Sequence, residues 1–275
     1  MQKTRANIPV YLMIIPVIAS CVLRFFQLLD FTDKKTGNVI GGGQMSLAVY
    51  ILLAAAIILD FICVKKKSEF VPLLDFEKGG KAEYAVSAFL AIAYFADFVH
   101  QAYNCYSYVS KMSYIEYAYL IPMAISGILA LLSCFYFVCF AMTAGGSNYD
   151  FRNFTLFHFI PVIWCFSKLI MMMLKIIDVK QNVEGVLEFL LMVFMIMFFF
   201  CYISMVDNKG KISQVFVFFS NAVLIIAAVL VLPRYAIMIS GNFGVLSPVD
   251  YTGVTYLAAG IFAVTLSKKA LKTND

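Results

Sequence analysis

A small set of side chains carries chemistry in places where water is scarce. Arg24, Asp97, His100, Gln101, Asn104, Lys168 and Glu188 all fall within long apolar runs, as do Asp60 and His158. Each ionisable group costs about 2.5–3.5 kcal/mol at the centre of a membrane helix on insertion scales, so such groups face a protein interior and find partners. Asp97, His100, Gln101 and Asn104 are spaced i, i+3, i+4 and i+7, which puts all four on one helical face. Tyr94 and Tyr103 extend that stripe with hydroxyls.

Two readings of these residues compete. As a site, they form a solvated vestibule opening outward, with Asp97 paired to Arg24 or Lys168 and His100 able to titrate near neutral pH. As structure, they form a buried network that fixes helix register. Lys168 is expected to pair with Glu188, since a lysine stem can reach toward the next helix after a short loop. Asp60 is expected to pair with His158 or to reach toward Lys65, Lys66 and Lys67. Rise per residue places Arg24, Asp97, His100, Lys168 and Glu188 in the outer leaflet.

The elements that must hold these groups are membrane helices. The chain has 275 residues, 63% of them hydrophobic and only 13% charged, with a mean hydropathy of +0.88. That is far more apolar than a soluble domain. Apolar runs of about 20 residues cross a bilayer as helix. The sequence predicts eight, at 8–29, 45–64, 84–104, 117–142, 155–177, 184–206, 212–233 and 252–266. They are continuous, whereas strands of a membrane barrel alternate over about ten residues. The expected fold is all-α, a polytopic bundle. Lys3 and Arg5 before a run ending Ile18-Ala19-Ser20-Cys21 resemble a signal segment, but the run continues to Leu29 and is read as the first membrane helix.

The chain repeats itself. Ile15-Pro16-Val17-Ile18 returns as Ile160-Pro161-Val162-Ile163, an offset of 145 (160 less 15), and Leu29, Asp33 and Lys35 return as Leu174, Asp178 and Lys180. The loop Glu77-Lys78-Gly79-Gly80-Lys81 resembles Asp207-Asn208-Lys209-Gly210-Lys211, and Ser113 to Tyr117 resembles Ser247 to Tyr251. These matches predict a tandem repeat of four plus four helices, residues 1–143 and 144–275. An even number of spans per half makes the halves parallel, related by an axis along the membrane normal. The offset brings Arg24 within one residue of Lys168 in depth. Pro16 and Pro161 each remove a backbone donor inside a span and are candidate hinges. Small residues at Ala124, Gly127 and Ala130, and again at Ala259, Gly260 and Ala263, predict close helix packing.

Cytoplasmic loops retain Lys and Arg. The set that includes Lys3, Arg5, Lys65 to Lys67, Lys209, Lys211, Lys268 and Lys269 outweighs the alternate set of Lys34, Lys35, Lys111, Lys175, Lys180 and Arg234. Both termini are therefore expected in the cytoplasm, with the chain in the cell membrane. The net charge of +5 then reflects orientation, and nucleic acid is not an expected partner. The seven cysteines lack metal-like spacing and read as free thiols. Gly41-Gly42-Gly43 lacks the Lys-Ser/Thr of a phosphate loop, Ser126-Gly127 lacks the first glycine of GxSG, and HExxH is absent. No enzyme, cofactor or metal is expected. The leading expectation is a transport protein or permease component with a polar site in the outer half, handling a small polar or charged solute. The second is a membrane scaffold or sensor subunit whose charges pair with a partner subunit.

Overall fold

The computed structural model describes residues 8–31, 43–66, 80–111, 117–146, 155–178, 183–206, 213–241 and 253–270. Eight α-helices fill them: α1 (Ile8–Phe31), α2 (Gly43–Lys66), α3 (Lys81–Lys111), α4 (Tyr117–Ala144), α5 (Ile160–Asp178), α6 (Val183–Val206), α7 (Ser213–Ile239) and α8 (Gly253–Ala270). No strand occurs among the described residues. Seven of the helices are long and apolar enough to cross a membrane, and the apolar part of α8, Gly253–Lys268, is shorter. In hydrocarbon every backbone N–H and C=O must be satisfied within its own segment, which is why continuous apolar runs resolve as helices. The chain is an all-helical, multi-pass membrane protein.

Helix ends lie where the chemistry puts them. Gly146 and Gly241 adopt φ of 90° and 81°, a left-handed conformation that glycine alone reaches without penalty. Their N–H groups donate to Thr143 O and Met238 O, closing the last turns of α4 and α7. Two elements run furthest past their predicted ends. Helix α3 continues past Asn104 to Lys111, and α7 passes through Pro233 to Ile239, because a proline late in a helix removes only one of its hydrogen bonds.

The packing is uneven. Helices α3 to α8 form a closed ring in chain order, each against its sequence neighbour, with α8 returning to α3. The α1–α2 hairpin lies outside this ring and seats on α7. Accordingly 61% of the apolar window of α7 is buried, against 28% for α1 and α2. Leu12, Ile15, Ile18, Val22 and Phe26 of α1 stay exposed, a face suited to lipid. The hairpin α5–α6 has no matching seat on α3, so the first four helices and the last four are not packed equivalently.

The small-residue clusters mark two close contacts. A Cβ on Gly260 would stand 2.9 Å from the backbone Cα of Leu224, so α8 meets α7 here almost backbone to backbone. A Cβ on Gly127 would stand 3.3 Å from Cβ of Gln101, fixing the register of α4 on α3. Ala130, Ala259 and Ala263 are buried with them, whereas Ala124 is exposed. None of the seven cysteines is in a disulfide. The matched loop segments that include residues 33, 77–79, 113–116, 180, 207–211 and 247–251 lie outside the described residues.

Candidate functional site

One ion pair organises the interior of the ring. Lys168 Nζ donates to Asp97 Oδ1 at 2.9 Å, and Trp164 Nε1 donates to Asp97 Oδ2 at 3.2 Å. Trp164 and Lys168 stand four residues apart on α5, so one face of that helix holds both carboxylate oxygens. The Lys168 ammonium also lies 5.4 Å from the Trp164 ring centroid, within cation–π range. Both charged side chains are almost fully buried, at 7% and 1% exposure, where the local dielectric strengthens their attraction. Helices α3 and α5 flank α4 in the ring, so a bond between them crosses the inside of the bundle.

A second such crossing lies beside it. Tyr256 OH on α8 donates to Glu188 Oε1 on α6, spanning α7. Thr255 Oγ1 donates to Ala93 O at 3.1 Å, tying α8 to α3 one turn from Asp97. Trp164 joins the two crossings, with its ring 6.5 Å from that of Tyr256 and 4.8 Å, edge-on, from that of Tyr94. Tyr94 in turn stacks on Phe137 of α4 at 5.3 Å. Four helices thus supply polar groups to one centre, enclosed by aromatic rings.

The anticipated pairing of Lys168 with Glu188 needs correction, whereas its alternative pairing with Asp97 is met. Lys168 bonds Asp97, and Glu188 instead accepts from Tyr256, because Glu188 stands near the start of α6 while Asp97 stands close to the middle of α3. The extra length of α3 beyond residue 104 moves Asp97 from the outer part of its helix to the midpoint. Asp60 accepts from Asn221 Nδ2 of α7 at 2.8 Å, and His158 Nδ1 meets Tyr136 OH at 2.9 Å.

Arg24 belongs to another group. Its Nη1 donates to Gln27 Oε1 at 2.6 Å, and Gln27 Nε2 donates to Ser46 Oγ, all within the α1–α2 hairpin. Arg24 and Lys168 sit in different helix groups despite their matched depth in the sequence. The polar stripe of α3 is divided: Asp97 and Gln101 are buried, while His100 and Asn104 are half-buried on its flank. The prolines also differ. Pro16 lies inside α1, where its carbonyl accepts from Ser20 Oγ at 2.8 Å. Pro161 is the second residue of α5, directly after the 3₁₀ turn Thr155–Phe159, where a missing N–H costs nothing.

Tyr256, Thr255, Asn221, Tyr136 and Gln27 are functional neighbours that sequence reasoning passed over. Gln27 was detectable as the i+3 neighbour of Arg24; the others meet their partners only through tertiary packing. Among the described residues, no three His, Cys, Asp or Glu side chains gather as a metal site would require. No known family model, curated protein or solved structure matches this chain.

Proposed function

We propose that this chain is a multi-pass membrane transport protein or permease component whose polar centre, inside the α3–α8 ring, handles a small polar or charged solute. The observation that carries this reading is the Asp97–Lys168 pair, held across the ring interior by α3 and α5 with Trp164 beside it. A buried ion pair is weak support for stability, because desolvation of the two charges offsets much of their attraction. Charges placed inside a bundle are the usual mark of a solute or ion pathway. Because the two charges neutralise each other within the chain, they are not offered to a partner protein, which favours transport over a scaffold or sensor subunit. On this reading the arrangement is a closed one, and passage requires the pair to separate.

The excess of Lys and Arg on alternate loops supports cytoplasmic termini in the cell membrane. The repeated IPVI segment supports descent by tandem duplication, followed by divergence of the packing. The test is cysteine labelling in a background without native cysteines. Single cysteines at positions 100, 101 and 104 are expected to react with a membrane-impermeant cationic thiol reagent applied from one side. Silence of all three from both sides sinks the transport reading.

A further inference from the structure

The seam between α3 and α4 is apolar in outline yet contains a row of polar atoms with no protein partner among the described residues. Ser87 Oγ, Tyr94 OH and Gln101 Oε1 on α3, with Ser126 Oγ and Ser133 Oγ on α4, are all buried in this way. Their spacing is regular. Residues 87, 94 and 101 are seven apart, as are 126 and 133, so each set lines one helical face. The stacking of Tyr94 on Phe137 and the approach of Gly127 to Gln101 show that these faces meet. The antiparallel register puts Ser126 level with Gln101, and Ser133 level with Tyr94.

These serines depart from the habit of the rest of the molecule. Ser20, Ser167, Ser220 and Ser267 each donate to a carbonyl three or four residues earlier in their own helix. That bond is available to any helical serine and removes the cost of burying the hydroxyl. Ser87, Ser126 and Ser133 turn away from it. A buried hydroxyl without a partner is unfavourable, and five such atoms along one seam need a common explanation.

We infer that ordered water bridges the buried polar atoms of the α3–α4 seam at the Tyr94–Ser133 and Gln101–Ser126 levels, on either side of Asp97. Hydroxyls both donate and accept, and a buried water needs two to four polar partners, which Tyr94 with Ser133 and Gln101 with Ser126 provide. Asp97 lies between these two levels. A monovalent metal ion is a poor occupant, because the oxygens are strung along the helices and not gathered in one shell. The ligand is water. Hydration of this seam is measurable in a protein that moves no solute, so it stands or falls apart from the transport reading.

X-ray radiolysis of the full-length protein in detergent, read by mass spectrometry, tests it. Hydroxyl radicals formed from bound water oxidise adjacent side chains even in the protein interior. Tyr94 and Phe137, both fully buried, are expected to be oxidised at rates near that of exposed Tyr106. Phe216, equally buried in the α6–α7 contact, is expected to remain several-fold slower. A Ser126→Ala/Ser133→Ala variant should lower labelling at Tyr94 severalfold and leave Phe216 unchanged. Labelling of Tyr94 and Phe137 no faster than Phe216 overturns the inference, as does a higher melting temperature of the double variant with unchanged labelling. Should that variant fail to fold, Tyr94→Phe read at Phe137 gives the same comparison.

Discussion

The hairpin α1–α2 and the ring α3–α8 each bury a cation, but they do so in opposite ways. Arg24 donates to Gln27, one turn away, which in turn bonds Ser46 on the adjoining helix. Lys168 is satisfied by Asp97, whose position is 71 residues distant in the chain, and the bond crosses the ring. The first hydrogen-bond chain lies within a local unit. The second joins helices that do not adjoin in the ring and depends on the whole bundle being assembled. Local polar networks fix pieces, and nonlocal ones fix their assembly.

Breaking the nonlocal pair should have the largest effect. Lys168→Met leaves Asp97 buried without its cation and is expected to cost about 3–5 kcal/mol. The loss should be read by denaturant unfolding in detergent, with faster amide exchange across the ring. The Asp97→Asn/Lys168→Met double variant should recover most of that loss; a double variant as unstable as the single one refutes the pairing. Next, Gln27→Leu removes a partner of a charged group and should cost about 1.5–3 kcal/mol. Its effect on amide exchange is expected to stay within α1 and α2, and spread into α3 or α5 would erase the contrast between the two regions.

Gly260→Ala sharpens the comparison inside the ring. Its new methyl meets the backbone of Leu224, which cannot rotate aside, and separating α7 from α8 should cost about 1–3 kcal/mol. The smallest change is Tyr136→Phe, which removes the hydroxyl that meets His158 and Tyr202 and should cost about 0.5–1.5 kcal/mol in the same assay.

Helix positions were legible in the sequence because a bilayer demands long, continuous apolar runs, and the starts of α1 and α4 were read to the residue. The far end of α3 was not, since Cys105 to Lys111 is polar enough to resemble a loop although its backbone stays helical. That extension is what displaced Asp97 toward mid-helix. The candidate residues were found because charge is conspicuous against an apolar background. Their partners were only half legible. Asp97 with Lys168 was among the expected pairs, while Glu188 with Tyr256 was not, because Tyr256 is one tyrosine among 16 and carries no spacing signal. The arrangement of the helices around the ring decides such pairings, and a sequence without internal distance information does not contain it.

The seat of α1–α2 on α7 has a consequence for how the protein is made. Synthesis proceeds from the amino terminus, so the hairpin enters the bilayer long before the helix on which it rests. Until residue 239 has followed, Arg24 has no bundle to shelter it. Gln27 and Ser46 arrive with the hairpin itself, and they let a buried guanidinium wait in the lipid for a partner helix that comes late.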